Sequence, residues 1–359
     1  MRKSVSPSRL TAMALVFLAL VIGPSLFADS GANHQVSNTN FGVSGGNVND
    51  ISRLFCCSGT LGSLVTDGTS FYILSNNHIL GRSDQAAPGE NISQPGLVDN
   101  NCQPPPTVAN FTTAPKLGSN VDAAIAQLRL GAMNIIGNIE DVGQPSTFVE
   151  VPTVGLAVAK SGRTTGFTTG SIASINTSVN VQYQAGCGKG KKFVISYTNQ
   201  VVVNSSTFSA GGDSGSLIVS NDACHHPVAL LFAGSSTTTI GNPIGEVLSK
   251  VSTSLGRSLS FVGAVCTASV PEQPILDGGQ GAPSSESIER AMKAMRTRED
   301  DLMSRPGIIG VGVGSSDIGS TDATVVVYVD ASSTLTPNVP KRIDGVRVRK
   351  VYTEPFVAY

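Results

Sequence analysis

Short apolar runs separated by turn residues fill most of the chain up to residue 266. The first two, "GSLV" and "SFYIL", flank an Asp67-Gly68 turn, an arrangement typical of a β-hairpin. Similar runs follow as "VDAAIAQLRL", "VGLAVAK", "GSIASIN", "KKFVISYTNQVVV", "GSLIVS", "PVALLFAG" and "SFVGAV". Almost no long helical pattern occurs before residue 284. This spacing of short strands predicts an all-β body built as barrels or as a sandwich.

The pattern changes after residue 266. Residues 267–283 are rich in Pro and Gly and predict a linker. Beyond them, Ser284 or Ser285 can cap a helix that Pro306-Gly307 ends, with one apolar face formed by Ile288, Met292, Met295 and Leu302. The strand-like runs "IIGVGVG", "ATVVVYVD" and "GVRVRKVYT" follow. Residues 284–359 therefore predict a small α+β module with its own modest core.

The start of the chain is typical of an export signal. Residues 1–28 combine a basic beginning, an apolar stretch and a small residue, Ala28, at the end. The alternative is an uncleaved signal anchor, for which the apolar run is short. Residues 29–53 are polar and rich in Gly and Asn and predict a loose arm. We therefore expect a secreted protein, periplasmic or extracellular, with no stable membrane association once the signal is removed.

Composition narrows the classes of partner. The formal net charge is −1, with 40% hydrophobic and 14% charged residues. A nearly neutral, apolar-rich chain is typical of a compact folded protein and argues against nucleic acid as a partner. No pattern indicates a metal, nucleotide or redox cofactor.

The six cysteines predict disulfides, because an exported protein folds in an oxidising compartment and the sequence contains no paired CxxC spacing. Sequence does not determine their connectivity. We predict that Cys187 pairs with Cys224, since the two bracket residues 209–220. One member of the Cys56-Cys57 pair is predicted to join Cys102.

Residues 209–220, "SAGGDSGSLIVS", place a tight turn directly before a strand. A Gly-rich hairpin is the simplest interpretation, since Gly and Ser favour any tight turn. The alternative is that Gly212-Asp213-Ser214-Gly215 exposes a nucleophilic hydroxyl beside main-chain N–H groups. A serine hydroxyl is a weak nucleophile without a base, so the rest of the chain decides between them.

Four histidines offer a base, and His78 is the strongest of them. His34 falls in the predicted arm, whereas His225 and His226 lie in a polar loop beside Cys224, where they are most simply surface residues. His78 ends the strand "FYILSNN", which would present its side chain rigidly. A buried, hydrogen-bonded structural histidine remains the alternative if His78 stands alone.

The orienting acid lies between His78 and Ser214. Asp122 heads the apolar run "VDAAIA", where burial of a carboxylate is costly without a partner such as an imidazole. The other three candidates sit in polar loops and are Asp84, Asp99 and Asp141. The chain order His78, Asp122, Ser214 follows.

The segments "LSNNH", "VDAAIA" and "GDSGS" resemble, in this order, the chymotrypsin-fold (trypsin-like) serine peptidases. Between them, "KSGRTTGFTTGSI" is similar to the hairpin that opens the second barrel in bacterial streptogrisin-like and glutamyl-endopeptidase-like members. The resemblance covers roughly residues 54–265. No "IVGG"-type start follows a basic residue near position 50, so activation by a new N-terminus beside Asp213 is not expected.

The resemblance implies two six-stranded antiparallel β-barrels, residues 54–150 and 151–266, with the site in the cleft between them. It also implies an acyl-enzyme mechanism for cleavage of protein or peptide substrates. The roles implied are a triad and an oxyanion hole, formed respectively by His78, Asp122 and Ser214 and by the amides of Gly212 and Ser214. Two alternatives remain open, an inactive binding scaffold of the same fold and an esterase using the same site.

By position, the primary substrate pocket is expected to have its floor at Thr207, Phe208 and Ser209 and one wall along residues 231–236, including Ala233, Gly234 and Ser235. No carboxylate is present among these residues to receive Lys or Arg. A modest preference for small or apolar substrate residues is therefore expected. The C-terminal module could be a folding aid, an inhibitor, a substrate-docking site or a passive appendage, and its motifs do not decide between these.

Overall fold

The structure is a computed structural model that describes residues 34–35, 39–188, 190–266, 282–316 and 320–359. The predicted export signal and residues 267–281 of the predicted linker lie outside these ranges.

The first barrel is built from seven short strands, and a one-turn helix, α1 (Asn77–Leu80), follows the fourth. The strands are β1 (Val43–Asn47), β2 (Gly59–Leu61), β3 (Ser63–Thr66), β4 (Phe71–Ser75), β5 (Asn91–Ser93), β6 (Thr107–Thr113) and β7 (Ala124–Leu128). They pair antiparallel in the order β3-β4-β7-β6-β5-β1-β2. Strands β2 and β3 are two halves of one bent strand, because Gly62 alone separates them. The ring therefore closes with six strand positions.

Gly62 sits where the first barrel meets the serine turn. A Cβ atom on this residue would lie 1.8 Å from the main-chain oxygen of Gly215. No side chain fits in that space, so glycine is required for the two segments to approach this closely. The same contact fixes the distance between the first barrel and the turn that carries Ser214.

The second barrel is a closed ring of six antiparallel strands. They are β8 (Ala157–Gly162), β9 (Gly166–Gln184), β10 (Lys192–Asn204), β11 (Leu217–Ser220), β12 (Pro227–Gly234) and β13 (Thr238–Pro243). The pairing order is β8-β9-β10-β13-β12-β11 and back to β8. The two barrels confirm the fold class predicted from the sequence.

Two segments differ from their sequence interpretation. Strand β1 lies inside the segment that was predicted to be a loose arm. The sequence suggested a loop there because Gly45 and Gly46 give this strand the composition of one. A Cβ on Gly45 would meet Leu61 Cγ at 2.4 Å, so close strand packing requires glycine there. Helix α2 (Ile244–Leu255) follows β13 and packs Val247 and Val251 into the core, and a short strand β14 (Ser260–Phe261) then pairs with β3. The sequence analysis does not predict helix α2.

The C-terminal module combines two helices with five strands. They are α3 (Ser285–Arg296), α4 (Glu299–Met303), β15 (Ile308–Ser315), β16 (Ala323–Asp330), β17 (Arg342–Ile343), β18 (Val346–Thr353) and β19 (Phe356–Ala358). Ser284 caps α3 by accepting a hydrogen bond from the Ser287 amide at 3.2 Å, as the sequence indicates. The helices bury Ala291, Met295 and Leu302 against the sheet. None of the helices in the described ranges has both the length and the apolar character needed to cross a membrane.

The module shares a sheet with the second barrel. Strand β15 pairs antiparallel with the long strand β9, β16 continues antiparallel to β15, and β18 runs parallel to β16. Strand β19 leaves this order and pairs with β9 in parallel and with β12 antiparallel. The chain thereby brings its last residues back to the second barrel.

All six cysteines form disulfides. Cys56 bonds to Cys102, which agrees with the prediction that one member of the pair joins Cys102. The predicted bond between Cys187 and Cys224 is wrong, because the partner of Cys187 is Cys57 and that of Cys224 is Cys266. The turn between β9 and β10 extends to the first barrel and lies against Phe55, which brings Cys187 close to Cys57.

Candidate active site

His78 and Asp122 are brought together by neighbouring strands of the first barrel. Strand β4 leads into α1, which carries His78, and Asp122 lies just before β7. The two strands are paired, with Ser75 opposite Ala124, so both side chains emerge at the same barrel end. His78 Nδ1 lies 2.6 Å from Asp122 Oδ2, and the His78 amide donates to Oδ1 at 3.1 Å. This double contact fixes the orientation of the imidazole ring.

The Asp122 carboxylate is fully buried, and a third group stabilises its charge. Tyr183, on β9 of the second barrel, donates its hydroxyl proton to Asp122 Oδ2 at 2.8 Å. The Tyr197 hydroxyl lies 2.7 Å from that of Tyr183 and extends the network. Sequence reasoning missed Tyr183, because it lies within a polar-apolar strand pattern 61 residues from Asp122. Only the pairing of the two barrels reveals the contact.

Burial and charge act in opposite directions on His78. Burial disfavours the imidazolium, but the charge and hydrogen bond of Asp122, together with a contact to the main-chain oxygen of Tyr359, outweigh it and raise the pKa of His78 above its ordinary value of 6.5. Burial and the neighbouring Asp122 also raise the pKa of Tyr183 far above its ordinary value. Tyr183 is therefore a proton donor to the carboxylate at any physiological pH.

Ser214 lies in a turn with two left-handed glycines, Gly212 at φ +98° and Gly215 at φ +95°. Its main-chain oxygen accepts from the Thr60 amide at 2.8 Å, which places the turn against the first barrel. The Ser214 Oγ is buried and donates to the main-chain oxygen of Phe232 at 3.2 Å. Within the described residues, the amides of Gly212 and Ser214 donate to no other group. The turn thus presents two unpaired N–H groups next to a serine hydroxyl, which are the kinds of groups that an oxyanion hole requires.

A buried ion pair supports this turn from behind. Asp213 accepts hydrogen bonds from the amides of Thr164, Thr165 and Ala210 at 2.8–3.1 Å. Lys160 Nζ lies 3.4 Å from Asp213 Oδ2, and neither side chain is exposed. Burial lowers the pKa of Lys160, whereas Asp213 acts in the opposite direction. Lys160 thus supplies the positive charge that pairs with Asp213, where the sequence predicts no inserted N-terminus. The sequence analysis did not assign this role to Lys160.

The predicted pocket residues fall into two groups. Ala233 and Gly234 pair with β19, and the main-chain oxygen of Ser235 accepts from the Tyr359 hydroxyl at 2.7 Å. Ser209 is buried, with its hydroxyl 2.5 Å from that of Thr239. Thr207 is exposed, and the fully buried Phe208 belongs to the hydrophobic cluster against which Tyr359 packs.

The other histidines lie away from this arrangement. His34 is buried rather than loose, with Nε2 3.1 Å from Asp141 Oδ2 and Nδ1 3.1 Å from the main-chain oxygen of Gly42. His226 Nδ1 lies 3.0 Å from the main-chain oxygen of Phe148. Potential metal-ligating atoms of Asp50, Cys57 and Cys187 lie close together, but the two sulfurs are bonded to each other. A thiol in a disulfide supplies no thiolate ligand.

Removal of the Tyr183 hydroxyl tests its positioning role. We expect Tyr183→Phe to lower kcat/KM by about tenfold, because one hydrogen bond to a charged group contributes about 1.5–3 kcal/mol. The acid limb of the pH profile should move upward, since an Asp122 carboxylate without this donor attracts a proton on His78 more strongly. Tyr197→Phe is the matched control and should change both quantities less. An unchanged pH profile in Tyr183→Phe would exclude the positioning role.

Comparison with known proteins adds a family match. Residues 90–233 match the model of peptidase family S64. Similar solved structures include a glutamic acid specific serine protease that utilizes a histidine triad in substrate binding, with 21% identity over 62% of this chain and 98% of that chain and a TM-score of 0.44. Protease A of Thermobifida fusca and the chymotrypsin of Cellulomonas bogoriensis each show 18% identity over 63% of this chain and 99% of theirs, with TM-scores of 0.41. No curated protein matches the sequence.

The family match falls on the barrel region, from the residue before β5 to Ala233 in β12. It includes Asp122 and Ser214 and the whole of strand β9. The additional C-terminal residues lie beyond it. Together with the two six-stranded barrels, the match of residues 90–233 supports a serine endopeptidase of the chymotrypsin fold, followed by an added C-terminal module.

Proposed function

We propose that this peptidase is exported and cleaves peptide bonds through an acyl-enzyme formed on Ser214, with His78 as the base and Asp122 as its orienting partner. The observation that carries the proposal is the buried contact between His78 Nδ1 and Asp122 Oδ2 at 2.6 Å, at the barrel end against which the Ser214 turn lies. A protein or peptide is the substrate, and neither nucleic acid nor a metal or other cofactor takes part.

In the first half-reaction, the Ser214 hydroxyl oxygen attacks the substrate carbonyl carbon while its proton passes to Nε2 of His78. Attack requires Ser214 Oγ to leave the main-chain oxygen of Phe232 and to turn toward the imidazole. The tetrahedral intermediate then breaks its C–N bond, and the proton on Nε2 goes to the leaving amine. In the second half-reaction water takes the part of the serine, which releases the acid product and restores Ser214.

The surrounding groups stabilise charge that develops during these steps. The amides of Gly212 and Ser214 donate to the oxyanion, an interaction of about 3 kcal/mol for each donor in comparable enzymes. Asp122 keeps the proton of neutral His78 on Nδ1, so that Nε2 is free to accept, and its charge stabilises the imidazolium. Tyr183 and the His78 amide hold the carboxylate in place.

Export is supported by the disulfides. All six cysteines are paired, and such pairing is typical of proteins that fold outside the cytosol. The segment with the composition of an export signal precedes the described residues. Secretion with removal of residues 1–28 leaves a chain with no further membrane association.

Hydrolysis of an unfolded protein substrate by the purified mature chain tests the proposed function. We expect cleavage that Ser214→Ala abolishes, whereas Ser249→Ala, which removes an exposed hydroxyl on α2, leaves the rate unchanged. Both variants should keep the circular dichroism spectrum of the parent. Equal cleavage by the Ser214→Ala variant would exclude the proposed nucleophile.

The raised pKa of His78 predicts the pH dependence. Protonated His78 accepts no proton, so kcat/KM should fall as the pH drops through the raised pKa, with a midpoint above 6.5. The negative charge of Asp50 also raises the pKa of His78, to a smaller extent, so Asp50→Asn should lower the midpoint slightly. A rate profile at constant ionic strength from pH 4 to pH 9 gives both values. A parent midpoint below 6.5 would contradict the assignment of His78.

A further inference from the structure

The last strand of the chain lies in the groove beside the candidate active site. Strand β19 inserts between β12 and β9, with Ala358 opposite Ala233 and Val357 opposite Gly234 in antiparallel register. On its other side, Phe356 pairs with Val181 in parallel register. Antiparallel pairing of an extended peptide with an exposed strand edge is a general mode of peptide recognition. Residues 356–359 thus occupy a peptide-binding edge.

The main chain of Tyr359 reaches the proposed base. The main-chain oxygen of Tyr359 lies 2.9 Å from His78 Nε2, the atom that receives the Ser214 proton in the proposed mechanism. No hydrogen bond joins His78 and Ser214 in the described residues, since Ser214 Oγ donates to Phe232. The main-chain oxygen of Tyr359 therefore occupies the nitrogen of His78 that the proposed mechanism needs free.

The Tyr359 side chain fills the predicted primary pocket. Its hydroxyl donates to the main-chain oxygen of Ser235 at 2.7 Å. A Cβ on Gly234 would lie 2.3 Å from that hydroxyl and 2.7 Å from Cζ, so the absence of a side chain at Gly234 makes room for the ring. Burial raises the pKa of Tyr359 to about 12, with the Ser209 hydroxyl acting against it.

The site is closed while this strand is in place. Ser214 and Asp122 are fully buried, and the His78 side chain is 8% exposed. A substrate needs the same strand edge, the same pocket and the same nitrogen of His78. Binding of a substrate therefore requires residues 356–359 to leave.

We propose that residues 356–359 act as a built-in competitive ligand of the substrate groove, and that the primary pocket selects a tyrosine-sized aromatic residue on the acyl side of the cleaved bond. This inference rests on the proposed function and specifies its substrate class. It replaces the expectation of small or merely apolar substrate residues. It also gives the C-terminal module a role as a carrier of the inhibitory strand.

The pocket chemistry favours tyrosine over a charged residue. The pocket accommodates the Tyr359 ring, and the main-chain oxygen of Ser235 accepts the hydrogen bond of its hydroxyl. The hydroxyls of Ser209 and Thr239 form the rest of the polar end of the pocket. Within the described residues, no charged side chain bonds to the Tyr359 hydroxyl. A buried Arg or Glu would remain without a counter-ion here, at high free-energy cost. Small residues would leave the pocket unfilled.

The first arm of the test measures inhibition with the full mature chain. Tyr359→Ala should raise the rate of labelling by a fluorophosphonate probe about tenfold, because a tethered ligand competes at a high effective concentration and loses its anchor. Tyr359→Phe should keep most of the inhibition. Tyr352→Ala, which removes a 60% exposed tyrosine of the same module, should label like the parent. Equal labelling rates for the parent and Tyr359→Ala would overturn the inhibitory role.

The second arm measures selectivity in the Tyr359→Ala variant. The substrates are N-acetyl tetrapeptide coumarin amides, Phe-Val-Ala-Tyr and the same peptide with Ala, Glu or Arg in the last position. We expect kcat/KM to be about tenfold or more higher for Tyr than for each of the others. The free acid N-acetyl-Phe-Val-Ala-Tyr should inhibit competitively.

The outcomes separate this inference from the proposed function. A variant that labels at Ser214 and prefers Ala, Glu or Arg overturns the aromatic selectivity while the serine peptidase mechanism stands. Failure of every folded variant to label overturns both. Labelling of the parent and of Tyr359→Ala at one rate, with preference for Tyr, removes the inhibitory role alone.

Discussion

Asp122→Asn is expected to lower kcat/KM by about 10⁴-fold, the size of loss known for this substitution in other Ser-His-Asp enzymes. The amide cannot hold the neutral imidazole in the tautomer whose Nε2 accepts the Ser214 proton. It also removes the negative charge that raises the pKa of His78. The loss should therefore come with a downward shift in the acid limb of the remaining activity. Steady-state rates with a peptide ester across the pH range measure both effects.

Asp330→Asn supplies a matched control, since it makes the same change at the partly exposed end of β16 in the C-terminal module. We expect it to retain the parent activity. Retention of more than about a tenth of the parent kcat/KM by Asp122→Asn would contradict the proposed triad, because an orienting carboxylate contributes far more than that.

Lys160→Met is expected to lower the free energy of unfolding by about 3–5 kcal/mol and to remove most activity. The substitution leaves the fully buried Asp213 without its cation. Asp213 organises the turn through the Thr164, Thr165 and Ala210 amides, so its rearrangement moves the Gly212 and Ser214 donors away from the oxyanion. Urea unfolding and the burst amplitude with an active ester measure the two losses.

The double variant Lys160→Met/Asp213→Asn distinguishes an unpaired charge from a packing defect. Removing the second charge should recover much of the stability, because the cost arises from burial of an uncompensated carboxylate. An equally unstable double variant would show that the volume of Lys160, rather than its charge, supports the turn. Full activity in Lys160→Met would contradict the assigned role.

The sequence was most informative where a residue type conflicted with its neighbourhood. Asp122 stands in an apolar run, and the structure buries its carboxylate against His78, the kind of partner that the run predicts. The alternating apolar runs likewise predicted the two barrels, since their period follows directly from strand geometry. The cap of α3 at Ser284 was equally local and equally readable.

The features that sequence did not predict depend on distant contacts. Tyr183 meets Asp122 only because β9 of one barrel reaches the site built by the other. Cys187 forms a disulfide with Cys57, which is 130 residues away in sequence, and the spacing of the cysteines alone does not indicate this pairing. Strand β1 needs glycine at position 45 because Leu61 packs closely against it, and this glycine makes the strand resemble a loop in sequence. The position of Tyr359 beside His78, 281 residues away, required the path of the whole C-terminal module.

The most direct measurement of the central claim is the intact mass of the purified Tyr359→Ala chain after reaction with a fluorophosphonate, followed by peptide mapping of the adduct. We predict one adduct per chain, located on Ser214 and abolished by Ser214→Ala in the same background. A folded Tyr359→Ala chain that forms no adduct, or forms it on another residue, would contradict the proposal that Ser214 is the activated nucleophile.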